Sequence, residues 1–105
     1  MVYPIKLDIE RQFKYGMRAI SLVEKKFKKP ISKVNLDDLT MEETAVVIWA
    51  GLVHEDKNLT SERVMDIVDQ YSNLPEVMEV AAEALQGAFP SKESEVESGN
   101  NEGKN

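Results

Sequence analysis

The chain contains no cysteine. No disulfide can staple the fold, and no thiolate can act as nucleophile or metal ligand. Histidine occurs once, as His54, so a metal site would have to find its remaining ligands among carboxylates, and none stands at a ligating spacing. Long apolar runs are also missing. The longest, residues 45–53, is well short of the ~18–20 residues needed to cross a bilayer, and the amino-terminal stretch lacks the apolar core of a secretory signal. A soluble protein of the cytoplasm is the expectation. Nor is there an excess of basic charge: thirteen Lys and Arg face nineteen Asp and Glu, for a net −6, which argues against a domain that holds duplex DNA by neutralising phosphates.

What the chain does have is 105 residues, enough for one core and too few for two, and a segment that must organise that core. Ala45-Val46-Val47-Ile48-Trp49-Ala50-Gly51-Leu52-Val53 runs apolar without a break and ends in His54-Glu55-Asp56. Such a run needs burial on nearly every side. Its β-branched residues would suit a strand, but Thr40 and Glu43 have the spacing of a capping box, which predicts a helix starting at Thr40. Met41, Ala45, Ile48 and Leu52 then share a face. Gly51 costs that helix about 1 kcal/mol relative to alanine, so its presence points to the close approach of another backbone.

The expected fold is all-α: a compact four-helix domain over residues 1–89, with a short extended amino-terminal arm and a disordered acidic tail over 90–105. Ile5, Leu7 and Ile9 alternate with polar residues and form the arm. From about Glu10 to Lys29 the first helix is expected to bury Phe13, Met17, Ile20 and Phe27, with Gly16 and Val23 beside them, and to stop before Pro30. Val34, Leu36 and Leu39 tack the following connection to the core. A third helix, capped by Thr60 or Ser61, buries Val64, Ile67, Val68 and Tyr71. A fourth, with Pro75 in its first turn, buries Val77, Ala81, Ala84 and Ala88. The tail after Pro90 has a single apolar residue, Val96, and cannot offset its ordering entropy. No internal repeat is evident.

Charge is segregated along this framework. Residues 1–35 carry nine Lys and Arg against three Asp and Glu, and the remainder carries four against sixteen. Arg11, Lys14, Arg18, Lys25 and Lys28 make one basic stripe on the first helix. Glu62, Asp66 and Asp69 line the third helix, and Glu76, Glu79 and Glu83 the fourth. Either the two halves face each other, or the molecule attracts an oppositely charged partner, a second copy included, over about a Debye length of 8–10 Å. These residues are the candidate partner-binding set. On separate surfaces they would let copies bind head-to-tail along an extended client. Tyr15, Met65 and Met78 are candidates for added apolar contact, against the plainer reading that they belong to the core.

Catalytic readings fail on spacing. Asp56-Lys57-Asn58-Leu59-Thr60 opens like a calcium loop, but Ser61 stands where glycine is required and Ile67 where a bidentate glutamate is required. His54 beside Glu55 and Asp56 has no activated hydroxyl to serve; it is expected to cap carbonyls or pack on Trp49. Helices two and three could mimic a helix-turn-helix, but Glu62, Asp66 and Asp69 would repel phosphates in a groove. A membrane-bound first helix would empty the core. Neither enzyme activity nor a cofactor or metal is expected.

The order Phe13-Lys14-Tyr15-Gly16-Met17-Arg18-Ala19-Ile20, Glu24-Lys25-Lys26-Phe27, Pro30-Ile31, Leu39-Thr40-Met41-Glu42, Trp49-Ala50-Gly51-Leu52-Val53-His54-Glu55-Asp56, Leu59-Thr60 and Val64 resembles the tail assembly chaperones of long-tailed phages, defective prophages and gene transfer agents. The resemblance spans roughly residues 5–88 and rests on small and apolar positions. Lys28 departs from it, standing where a glycine is expected to end the first helix. The resemblance implies a non-catalytic chaperone, working in the host cytoplasm during virion assembly, that binds the tape measure protein, keeps it soluble and helps recruit tail tube subunits. It transfers no catalytic residue. In many relatives a translational frameshift adds a longer form. The alternatives are a small phage-encoded regulatory module that binds another protein and, further off, a helix-turn-helix DNA binder.

Overall fold

The computed structural model describes residues 2–88. The acidic tail expected over 90–105 lies outside them. Two short strands, β1 (Tyr3–Lys6) and β2 (Glu10–Phe13), precede four helices: α1 (Met17–Phe27), α2 (Met41–Leu52), α3 (Ser61–Tyr71) and α4 (Leu74–Gly87). A single 3₁₀ turn, Ile31–Lys33, lies between α1 and α2. The domain is mostly helical, and the all-α expectation is corrected by the antiparallel hairpin.

The hairpin replaces both the lone arm and the first turns of the expected first helix. Tyr3 pairs with Phe13, Pro4 with Gln12, Ile5 with Arg11 and Lys6 with Glu10. Arg11, Phe13 and Tyr15 all turn inward and are buried. That is a period of two, which overrides the helical spacing of Phe13 with Met17. Freed from that face, Met17 opens α1 and stands 92 % exposed. Leu7, at the hairpin turn, is buried, whereas Ile9 faces out.

The helix α1 therefore buries Ala19 and Val23, with Ile20, Leu22 and Phe27 packed partly against the core. It ends two residues earlier than expected. Lys28 adopts φ 60° and ψ 39°, and its N–H donates to the Glu24 carbonyl at 2.7 Å. This is the left-handed closure that glycine usually supplies. The Glu24 carboxylate then accepts from the Ile31 N–H at 2.9 Å, holding the turn after Pro30.

The expected spine is α2. It packs against α1, α3, α4 and β2 and buries Thr44, Ala45, Val47, Ile48, Ala50, Gly51 and Leu52, which together cover more than one face. Its capping box is complete: Thr40 Oγ1 accepts from the Glu43 N–H at 3.1 Å, and the Glu43 carboxylate accepts from the Thr40 N–H at 2.9 Å. Met41, placed on the buried face by its spacing, lies at the open amino end and is exposed. Thr60 caps α3 through the Arg63 N–H, and Asn73 caps α4 through the Glu76 N–H. Val64, Ile67 and Val68 are buried as expected, but Tyr71 is at the last turn of α3 and is half exposed. Val77, Ala81 and Ala84 are buried on α4; Leu85 joins them, and Ala88 is only partly covered.

Candidate protein-interaction surface

The hairpin is locked onto the carboxyl end of α2, and this joint shapes the surface around it. Past β2 the Lys14 N–H donates to the Gly51 carbonyl at 2.9 Å. The outer edge of Gln12 is satisfied in the same way: its N–H donates to the Glu55 carboxylate at 3.2 Å, and its carbonyl lies 2.7 Å from His54 Nε2. A carbonyl only accepts, so Nε2 carries the proton in this bond. His54 therefore caps a carbonyl as expected, but one belonging to the strand. Because the edge of Gln12 points away from β1, the missing N–H of its partner Pro4 costs the ladder nothing.

The approach predicted at Gly51 is both a backbone bond and a pair of rings. Phe13 and Tyr15 stack with centroids 6.1 Å apart and planes 10° apart, and both lie where a side chain on Gly51 would stand. The Tyr15 hydroxyl donates to the Val47 carbonyl at 2.6 Å, and burial pushes its pKa up. Tyr15 is thus core rather than a docking residue.

Arg11 leaves the basic stripe for a structural role. Its Nε and one terminal nitrogen grip the two oxygens of Asp8 at 2.8 and 2.9 Å, and its other terminal nitrogen lies 3.6 Å from Asp56. The guanidinium fork ties the hairpin turn to the connection after α2. Hydrogen bonding from Arg11 holds the Asp8 carboxyl below its ordinary pKa, and the pairing with Asp8 raises that of Arg11. Asp56 also accepts from the Asn58 N–H at 3.2 Å, a turn within the segment that opens like a calcium loop. Among the described residues no group of three or more His, Cys, Asp or Glu is gathered as a metal site. No helix there is long and apolar enough to cross a membrane.

The rest of the basic stripe divides. Lys14 and Arg18 border a groove of about 740 Å³ between the start of α1 and the end of α2, with Lys57 from the α2–α3 connection as a third cation. Its apolar lining includes Met17, Leu22, Trp49 and Val53. Trp49 is fixed by donation of its indole N–H to the Leu59 carbonyl at 2.7 Å, and Lys26 lies 6.0 Å from its ring centroid. Lys25 lines a separate shallow hollow with Lys29, and Lys28 is the left-handed residue at the helix end. Glu62, Asp66 and Asp69 are exposed on α3, and Glu76, Glu79 and Glu83 on α4. Of the methionines considered for contact, Met65 borders a smaller apolar hollow with Met41, and Met78 packs partly against the core.

The two halves of the charge meet in a single ion pair among the described residues, Arg11 with Asp56. Among the described residues the ion pairs are those of Arg11 alone, with Asp8 and with Asp56. Every other candidate cation and carboxylate is without an ionic partner there. Sequence reasoning found Lys14 and Arg18 but missed Lys57, Trp49 and Val53 as their neighbours, because only the tertiary packing of α1 on α2 brings these positions together. Comparison with known proteins finds no matching family model, no matching curated protein and no matching solved structure.

Proposed function

We propose that the protein is a non-catalytic assembly chaperone for the tails of long-tailed phages or related prophage particles. It would work in the host cytoplasm, binding the tape measure protein and helping tail tube subunits to assemble around it. The reading rests on the resemblance over residues 5–88. The observation that carries it into structure is the open groove between α1 and α2, whose apolar lining and cations Lys14, Arg18 and Lys57, without ionic partners among the described residues, suit an amphipathic segment of a client chain. Met17, projecting at its lip, offers a flexible contact to varied sequences.

The test begins with the DNA flanking the reading frame. A slippery heptanucleotide, an overlapping frame and a long downstream gene rich in coiled-coil heptads are expected. Coexpression should then raise the soluble fraction of that gene's product several-fold, as measured by centrifugation. A neighbourhood without tail genes, or a downstream product whose solubility is unchanged by coexpression, overturns the proposal.

A further inference from the structure

We infer that the α1–α2 groove is a docking site for a second copy of this chain, which presents the acidic face of its α4. The two surfaces are complementary in detail. The groove gathers three cations, Lys14, Arg18 and Lys57, with no carboxylate in its lining, around Met17, Leu22, Trp49 and Val53. Helix α4 carries Glu76, Glu79 and Glu83 and no basic residue between Leu74 and Gly87. Their spacing of three and four places the three carboxylates on one stripe, and Val80, only partly covered, falls within the same stripe one turn beyond Glu76. A row of acids with an apolar residue among them meets a row of bases around an apolar floor.

Neither surface is engaged by the rest of the described residues. None of the six charges has an ionic partner among the described residues, and α1 and α4 do not pack against each other. Groove and stripe are therefore different patches of the molecule, and a copy that offers one keeps the other free. Such a contact is heterologous: it builds chains or rings rather than closing a two-fold dimer. Charge pairing at the rim steers the approach and makes it salt-sensitive, while the apolar floor supplies contact that salt does not screen. The groove cannot hold a client segment and a second copy's α4 at once, so a client would displace this contact; the contact itself rests on charge and shape and is tested on the purified chain alone.

The test is a charge exchange on the full chain, followed by sedimentation velocity across a concentration series at low and high salt. The parent is expected to sediment as a concentration-dependent series of oligomers that shortens as sodium chloride is raised. Lys14→Glu with Arg18→Glu should weaken association by at least about ten-fold, as should Glu79→Lys with Glu83→Lys. Mixing the two variants should restore heterodimers, because the reversed groove meets the reversed stripe; far-UV circular dichroism on each variant confirms that it is folded. The mixture also keeps the test valid if one pair is partly destabilised, since two folded variants that fail to pair refute the contact. A parent that stays monomeric at every concentration overturns the proposal.

Discussion

Replacing Gly51 by alanine adds one methyl group where the structure has no room for it. A Cβ built on Gly51 stands 2.5 Å from Tyr15 Cζ, 2.7 Å from the Tyr15 hydroxyl and 2.8 Å from Phe13 Cδ1, whereas carbon atoms pack best at about 3.5–4.0 Å. Neither ring can retreat cheaply. Phe13 is fully buried and Tyr15 is 6 % exposed, with its hydroxyl held by the Val47 carbonyl. Alanine returns about 1 kcal/mol of helix propensity. Against that, overpacking costs about 1–3 kcal/mol, and pushing the buried hydroxyl off its carbonyl costs about 1–3 kcal/mol more. A net loss of about 1–5 kcal/mol follows, and each kcal/mol lowers the Tm of a domain this size by roughly 4–8 °C. Urea unfolding followed by far-UV circular dichroism and by Trp49 fluorescence measures it. In a Tyr15→Ala background the same substitution should cost less, because two of the three close contacts are gone and the Phe13 ring gains room to shift. A Gly51→Ala protein as stable as the parent, or more stable, would refute the steric argument and leave propensity as the governing effect.

Lys28→Gly should stabilise the protein by about 0.5–1 kcal/mol, because glycine takes the left-handed closure of α1 without the Cβ penalty that lysine meets there; an unchanged or lower urea midpoint would show that the turn after α1 relaxes in solution. Asp8→Asn should weaken the fold at neutral pH and flatten its acid limb. The folded carboxyl titrates below its ordinary value of 3.8, chiefly through the hydrogen bonds from Arg11. Its stabilisation is therefore complete above that value and is lost as pH falls through the lower folded one. Parent and variant stabilities, measured by urea unfolding from pH 2 to 7, should converge toward the acid end; a constant gap would mean that Asp8 acts by packing alone.

Much of this fold was legible in the sequence wherever a signal is local. The Thr40 capping box, the spine through Ala45 and Leu52, the Thr60 cap and the Pro75 start of α4 each depend on residues within a turn or two of one another. The amino-terminal third misled because it carries two periods at once. Phe13 and Met17 are four apart, as on a helix, while Arg11, Phe13 and Tyr15 alternate, as on a strand, and the choice between them is made by Gly51 and Asp56, some forty residues away. The buried Arg11 illustrates the same limit: by spacing it belongs with Lys14 and Arg18, and only Asp8 and Asp56 at either side remove it from the surface. In the candidate site, the charges could be found by counting. The groove could not, since Lys57 and Trp49 come from a different part of the chain than Arg18.

The joint between β2 and the end of α2 also dictates an order of assembly. The hairpin precedes the helices in the chain, but a two-stranded hairpin is marginal by itself, and among the described residues the outer edge of β2 and the residue after it find their partners in Gly51, His54 and Glu55. The helices α2 and α3, joined by a short connection and packed on each other, can form from local contacts, and the amino-terminal strands are then annealed onto them as the closing step. Amide hydrogens at Gln12 and Lys14 are consequently expected to exchange only when that closure opens. They would serve as a clock for the last event of folding, though they precede the helices in the chain.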